Sequence, residues 1–240
     1  MSNTKLLIVC IGLLFLTTTT FSQSIGIKAG PVYNHFISSQ YHVKGNVGLV
    51  AGISFNYDLS DKLTLSSAAE YLQLGGGLLT IEDNTRYGED PYANPFAIQI
   101  RDSRVTLHTV NVPIILKYGI IGDDNVKVNI GIGPEVSYTF YGTSNDVVTL
   151  PSGGSNLWVT YTQTVNETNN YAPFNLAATA ALGVDFMAGS QPLGIDFRYR
   201  YGVLPIREGY SYLDLNEFKS DVNQGSFIVT IEYKFNLNKE

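Results

Sequence analysis

Residues 225–237 read GSFIVTIEYKFNL, and this stretch decides the fold. One parity is Phe227, Val229, Ile231, Tyr233 and Phe235, while the other holds Ile228, Thr230, Glu232 and Lys234. Successive side chains of a β-strand point to opposite faces, so a period of two marks a strand with one apolar and one polar face. Working outward, the same alternation recurs over Ser24 to Tyr33, Asn46 to Asp58, Leu63 to Gln73, Val105 to Tyr118, Val126 to Tyr138, Asn175 to Met187 and Leu193 to Val203. With Gly225 to Leu237 that makes eight strands, an even number. Each is about ten to fourteen residues long, beyond the usual strand of a soluble domain and sufficient for a tilted strand to cross hydrocarbon.

The connections alternate in size. LSDK, GIIGDDN and AGSQP are tight turns built on Gly, Asp, Asn and Pro. The other connections run about twelve, thirty, thirty-five and twenty residues, lengths a soluble domain seldom leaves without structure. Short turns on one side and long loops on the other predict an all-β, eight-stranded, antiparallel up-and-down transmembrane barrel, with turns in the periplasm and loops outside. Both termini are then periplasmic and the chain sits in the bacterial outer membrane.

Aromatic rings are expected at both headgroup levels. On the apolar parity, outward-running strands finish with Tyr33, Tyr71, Tyr138 and Tyr201, and inward-running strands with Tyr57, Tyr118, Phe186 and Phe235. The opposite parity carries Lys28, Lys117, Lys127, Arg198, Arg200 and Lys234 against Asp58, Glu70, Glu135, Asp185, Asp196 and Glu232. A Lys or Arg facing lipid at mid-depth costs about 2–4 kcal/mol, so this parity faces the lumen. A barrel of this size barely holds its own side chains, and opposed charges there should pair into a plug that leaves no open pore. Inner glycines such as Gly48, Gly52, Gly131, Gly133, Gly183 and Gly194 are expected to make room for long Arg and Lys chains, and Pro31 and Pro134 to mark bulges. Proton or ion relay is the alternative use of the inner charges.

The first residues, MSNTKLLIVCIGLLFLTTTTFSQ, combine one Lys, an apolar core from Leu6 to Leu16 and a polar end. This is a secretory signal, expected to be cleaved near Gln23, with residues 24–240 forming the barrel domain. The only cysteine, Cys10, lies inside it, so no disulfide or thiolate chemistry is expected afterwards. The chain has 44% hydrophobic and 15% charged residues and a formal charge of −6, which becomes −7 once Lys5 is removed with the signal. A nucleic-acid partner is excluded by that balance.

The stretch VNVPIILKYG at residues 110–119, followed by a turn and NIGIGPEVSY, resembles the small outer-membrane β-barrel family of Bacteroidota called PorT-like, as does the opening IGIKAGPVYN. The resemblance spans Ser24 to Leu237 and implies a barrel scaffold. One namesake member of that family takes part in protein export through the type IX secretion system, which makes a link to secretion an expectation of resemblance alone.

Chemistry beyond the scaffold is sparse. His35 and His42 fall in the first loop beside Ser38 and Ser39, and His108 near the outer end of a strand; a lipid-modifying enzyme would need such a base and nucleophile in contact. Solvated loop residues are the commoner reading, and neither catalysis, a cofactor nor a metal site is expected. Acidic residues gather at Glu82, Asp83, Glu89, Asp90 and Asp102 and at Asp214, Glu217 and Asp221 without calcium-loop spacing. Gly75 to Gly77 lack the Lys-Ser of a phosphate loop and read as the flexible outer end of the third strand. The partners this leaves are membrane lipids and another envelope protein met through the loops. Residues 156–165, with the only tryptophan, are expected to extend the wall outward as a hairpin. A secreted ligand-binding barrel of lipocalin type would need the two parities exchanged.

Overall fold

Every alternating stretch finds an antiparallel neighbour, and the ladder closes on itself. The computed structural model describes residues 23–38, 42–83, 98–122, 125–151, 158–188, 191–206 and 222–237. The signal region, residues 1–22, lies outside the described residues. The strands are β1 (Gln23–Ile37), β2 (His42–Ser60), β3 (Leu63–Asp83), β4 (Ile98–Gly122), β5 (Val126–Pro151), β6 (Trp158–Asn166), β7 (Phe174–Ala188), β8 (Gln191–Gly202) and β9 (Asn223–Asn236). β1 pairs with both β2 and β9, and β4 pairs with β5, so eight strands form a ring and β6 is joined to it only through β5. A closed ring satisfies its own backbone polar groups, which is what lipid demands of a spanning sheet.

The structure corrects the expected strand limits. β3 runs on from Gln73 to Asp83, β4 begins at Ile98 rather than Val105, and β5 continues past Tyr138 to Pro151. Much of the predicted loop sequence is therefore sheet that outlasts the membrane span, because a paired ladder gains hydrogen bonds whether or not lipid surrounds it. β6 lies along Thr143–Pro151, which places residues 158–166 in the expected outward hairpin. Gly75 to Gly77 lie within β3, paired to β4, rather than at a loose end. Gly75 has φ of 157°, and a Cβ there would stand 2.2 Å from the Val105 carbonyl oxygen.

Bulges fall elsewhere than at the prolines. Register shifts occur between Lys44 and Val50, between Asp58 and Ser60, at the His108–Thr109 step and between Gly119 and Ile121. At Pro31 and Pro134 the register is unbroken. Each proline instead follows a glycine that the neighbouring strand crowds: a Cβ on Gly30 would lie 1.8 Å from the Val229 carbonyl oxygen, and one on Gly133 1.8 Å from that of Ile114. On these sides the β1–β9 and β4–β5 pairings skip residues and resume in the same register. A glycine in a strand interior commonly marks such a tight bend or close backbone approach.

Candidate functional site

The outer wall and the interior differ as the two parities do. Ile132 is 71% exposed and Val47 70%, with Ile27, Ile53, Ile114, Leu182, Phe197 and Ile231 exposed around the ring. Among the described residues nothing covers this belt, and exposed apolar surface on that scale marks contact with a partner or a membrane. Tyr33, Tyr118, Tyr138, Tyr201 and Phe235 are exposed on it, while Tyr57, Tyr71 and Phe186 are half-buried, Tyr71 against His108 and Phe140. Near the loop ends, Tyr138 and Phe174 meet at 5.0 Å and Tyr199 and Phe227 at 4.7 Å between ring centroids. The bulge opposite His108–Thr109 inserts Phe140 beside Tyr141 and turns both rings outward.

All three histidines lie in strands, His35 and His42 among them although the sequence put both in the first loop. His35 belongs to β1, not to a loop, and its ring stacks on Phe227 and Tyr199 at 6.1 and 6.5 Å. His42 opens β2 opposite Leu79. The His108 Nδ1 lies 2.5 Å from the Tyr71 hydroxyl, which also accepts from Gln73 Nε2 at 3.1 Å. Ser39, Glu89, Asp90, Asp214, Glu217 and Asp221 lie outside the described residues, and Asp102 pairs with Lys44 at 2.5 Å on the surface.

The interior is packed with paired charge at mid-depth. Glu70, on β3, receives Lys28 from β1 and Arg198 Nη2 from β8 at 2.8 Å on one oxygen, and Asn111 Nδ2 at 3.0 Å on the other. Arg200 Nε donates to Glu135 at 2.5 Å, Thr179 donates to the second Glu135 oxygen at 2.9 Å, and Arg200 Nη2 reaches Ser137 at 3.1 Å. Lys117 Nζ donates to both Asp196 oxygens, at 2.9 and 3.0 Å. Lys234 Nζ meets Asp185 at 2.5 Å, joined there by Asn129 Nδ2 at 3.2 Å. Glu232 accepts from Ser54 and from Asn56 Nδ2, and Asp58 accepts from Thr64 at 2.6 Å. Lys127 is exposed at the turn end. A buried ion pair only roughly offsets its own desolvation, but losing one partner costs about 3–5 kcal/mol, so these pairs constrain side-chain position more than they add stability.

Above and below this layer the lumen changes character. Toward the loop end, Val32, Phe36, Leu72, Leu74, Leu78, Val105 and Leu107, with Tyr171, Ile206 and Val222, form one buried apolar cluster inside the ring. At the turn end a bowl of about 700 Å³ is lined by Asp58, Lys62, Lys127, Asn129, Asp185 and Lys234 among others. A polar cavity of that kind fills with water. The barrel is thus a cup, open at the turn end and closed by charge and then by hydrocarbon.

Sequence reasoning missed the uncharged partners Ser54, Asn56, Asn111, Ser137 and Thr179, which lie on the inner parity but carry no charge to advertise them. The inner glycines make room for a long cation only in part, as at Gly131 beside the Lys117 side chain. A Cβ at Gly183 would sit 2.4 Å from Asp196 Oδ1 and one at Gly194 2.6 Å from Asp185 Oδ1, so these two make space for carboxylates; Gly52 is crowded by the backbone of Ala69 and Glu70, and Gly131 by Ile115 and Lys117 side chains. The Phe140 bulge reverses parity beyond it, which turns Asp146 inward, 3.9 Å from Arg101.

Solved structures to which the chain is similar include outer membrane proteins. Ail, the attachment invasion locus protein of Yersinia pestis, is 16% identical, with 90% of this chain and 100% of that chain covered at a TM-score of 0.40. The outer membrane protein OprG from Pseudomonas aeruginosa is 13% identical over 90% and 97% at 0.45, and the outer membrane enzyme PagL 14% identical over 88% and 98% at 0.36. At such identities a shared shape carries no shared activity. No curated protein matches the chain. A family model described as an outer membrane protein beta-barrel domain matches residues 21–208, and with that match over most of its length the chain belongs to the outer membrane β-barrel family.

Proposed function

We propose that this chain is an integral barrel of the bacterial outer membrane with a side-chain-plugged lumen, its termini and turn end in the periplasm, and a structural or accessory role exerted through its outward sheet and loops on an envelope or extracellular partner. The observation that carries this is the reversal of a soluble barrel: Arg200 and Glu135 are wholly buried inside while Ile132 and Val47 stand uncovered outside. Adjacent residues test the sidedness. Phe197→Asp should block membrane assembly and Asp196→Asn should still assemble, read by heat-modifiable mobility of outer-membrane fractions; equal insertion of both overturns the assignment.

A plugged lumen conducts no ions, so planar bilayers holding the purified protein should stay silent, and stable single-channel steps would remove that part of the reading. The accessory role, with the type IX link that the PorT-like resemblance implies, is tested by the chains that co-purify from outer membranes in mild detergent. A lone monomer counts against it. The reading needs no cofactor and no catalysis: replacing His35 and His42 by Ala should leave lipid composition unchanged, and an altered lipid profile would favour a lipid-modifying enzyme.

A further inference from the structure

The strand β6 is the part of the sheet that the closed ring does not explain. It pairs on one side with Thr143–Pro151 of β5, and among the described residues its other edge has no partner. The strand reads WVTYTQTVN, with no charge, no proline and no glycine, the features that natural edges use to discourage pairing. Val159, Tyr161, Thr162 and Thr164 are all exposed and Gln163 and Val165 half-buried, so among the described residues nothing covers the middle of β6 on either face.

Part of that edge matches itself in reverse, with Tyr161 against Gln163 and Trp158 against Asn166 as the unlike pairs. About Thr162, Val159 mirrors Val165 and Thr160 mirrors Thr164. An antiparallel pair of two β6 strands centred on Thr162 therefore sets Val against Val and Thr against Thr, with odd residues on one face and even residues on the other. Cross-strand Thr–Thr pairs are favourable, and β6 already makes one within the chain, Thr160 with Thr149 at 3.1 Å between hydroxyl oxygens. An open edge with no repulsive element and a partly self-matching sequence is complementary to itself.

Symmetry then dictates where the second copy must be. The two-fold axis relating two antiparallel strands is perpendicular to their sheet. The β5–β6 sheet continues upward from the barrel wall, rising on the order of 20 Å above the outer aromatic level at about 3.3 Å per residue and the usual strand tilt. Its perpendicular lies in the plane of the membrane, and a two-fold in that plane turns the partner upside down. Two copies in one membrane share the same upright sense, so the inverted copy belongs to an opposed membrane.

We propose that β6 pairs edge to edge with β6 of a second copy of this chain in a facing outer membrane, which gives the protein a homotypic bridging activity between membranes. The proposal rests on the membrane-barrel reading and on the β5–β6 sheet lying outside. One strand pair is weak, and many copies on two apposed surfaces multiply it.

The test uses two populations of proteoliposomes carrying different fluorescent lipids, each with the full barrel incorporated and co-flotation of protein with lipid verified. Wild-type vesicles should cluster across the two populations. Thr162→Glu on both sides, or Thr162→Lys on both sides, sets like charges directly opposite and should reduce clustering to that of protein-free vesicles, whereas Thr162→Glu facing Thr162→Lys should restore it. Because Cys10 precedes the barrel and is the only cysteine, a Thr162→Cys variant gives a single-site reporter. Under mild oxidation it should form dimers between populations, while Thr160→Cys should not, since residues 160 of the two strands would lie too far apart to bridge. Vesicles that carry co-floating protein yet stay single overturn the pairing and leave the barrel reading intact. Dimers formed only within one population overturn the facing-membrane geometry. Protein that fails to co-float removes the barrel reading and the pairing with it.

Discussion

The middle of the lumen and its loop-end third solve one problem by opposite means. Both fill a tube too narrow to stay open, the middle with Lys28, Glu70, Arg198, Glu135 and Arg200, the loop-end third with Val32, Phe36, Leu72, Leu74 and Leu107. Hydrocarbon needs only the right volume, since packing is non-directional. Ion pairs need each partner at a set place, since a half-made pair is worse than none. The charged layer is therefore where the barrel is position-sensitive, and the apolar layer is where it tolerates substitution.

The largest expected effect, and the sharpest use of that contrast, is Glu70→Ala. It strands Lys28 and Arg198 together, and the unfolding free energy in detergent, read from a urea midpoint, should fall by about 3–5 kcal/mol. Leu72→Ala in the apolar layer should cost about 2–5 kcal/mol, while Leu72→Met should cost less than about 1.5 kcal/mol; a loss for Met as large as for Ala would break the claim of tolerance. Replacing the whole triad by Lys28→Met, Glu70→Leu and Arg198→Met should be close to neutral or stabilising in the same measurement. A triple variant much weaker than Glu70→Ala would mean that the charges are there for stability after all. The smallest effect belongs to the exposed pair outside the lumen: Lys44→Ala, which frees Asp102, should shift stability by less than about 1 kcal/mol, and less still in high salt.

The ring and its sidedness were legible because lipid enforces alternation: Phe227 to Phe235 cannot turn inward without burying the wrong set, so parity survives in the sequence. Partner choice was not legible. Glu70 and Arg198 are 128 residues apart, and nothing local to either one names the other. The apolar cap was hidden for a different reason. Leu74 and Leu78 lie beyond the predicted strand end at Gln73, where no bilayer imposes a pattern on the opposite face, so β3 there read as loop. Asp146 did not figure among the inner charges because the fifth strand was read to end at Tyr138, and the Phe140 bulge that turns it inward lies beyond that limit.

The paired Gly30–Pro31 and Gly133–Pro134 steps have a mechanical meaning. In the ring, β1 and β5 are four strands apart in either direction, so the two steps sit on opposing sides. Each interrupts the ladder at one point, β1 against β9 and β5 against β4, and these two interruptions divide the ring into β1 to β4 on one side and β5 with β7 to β9 on the other. Glu70 to Arg198 and Lys117 to Asp196 tie one four-stranded half to the other across the lumen, so the interrupted seams are bridged from within.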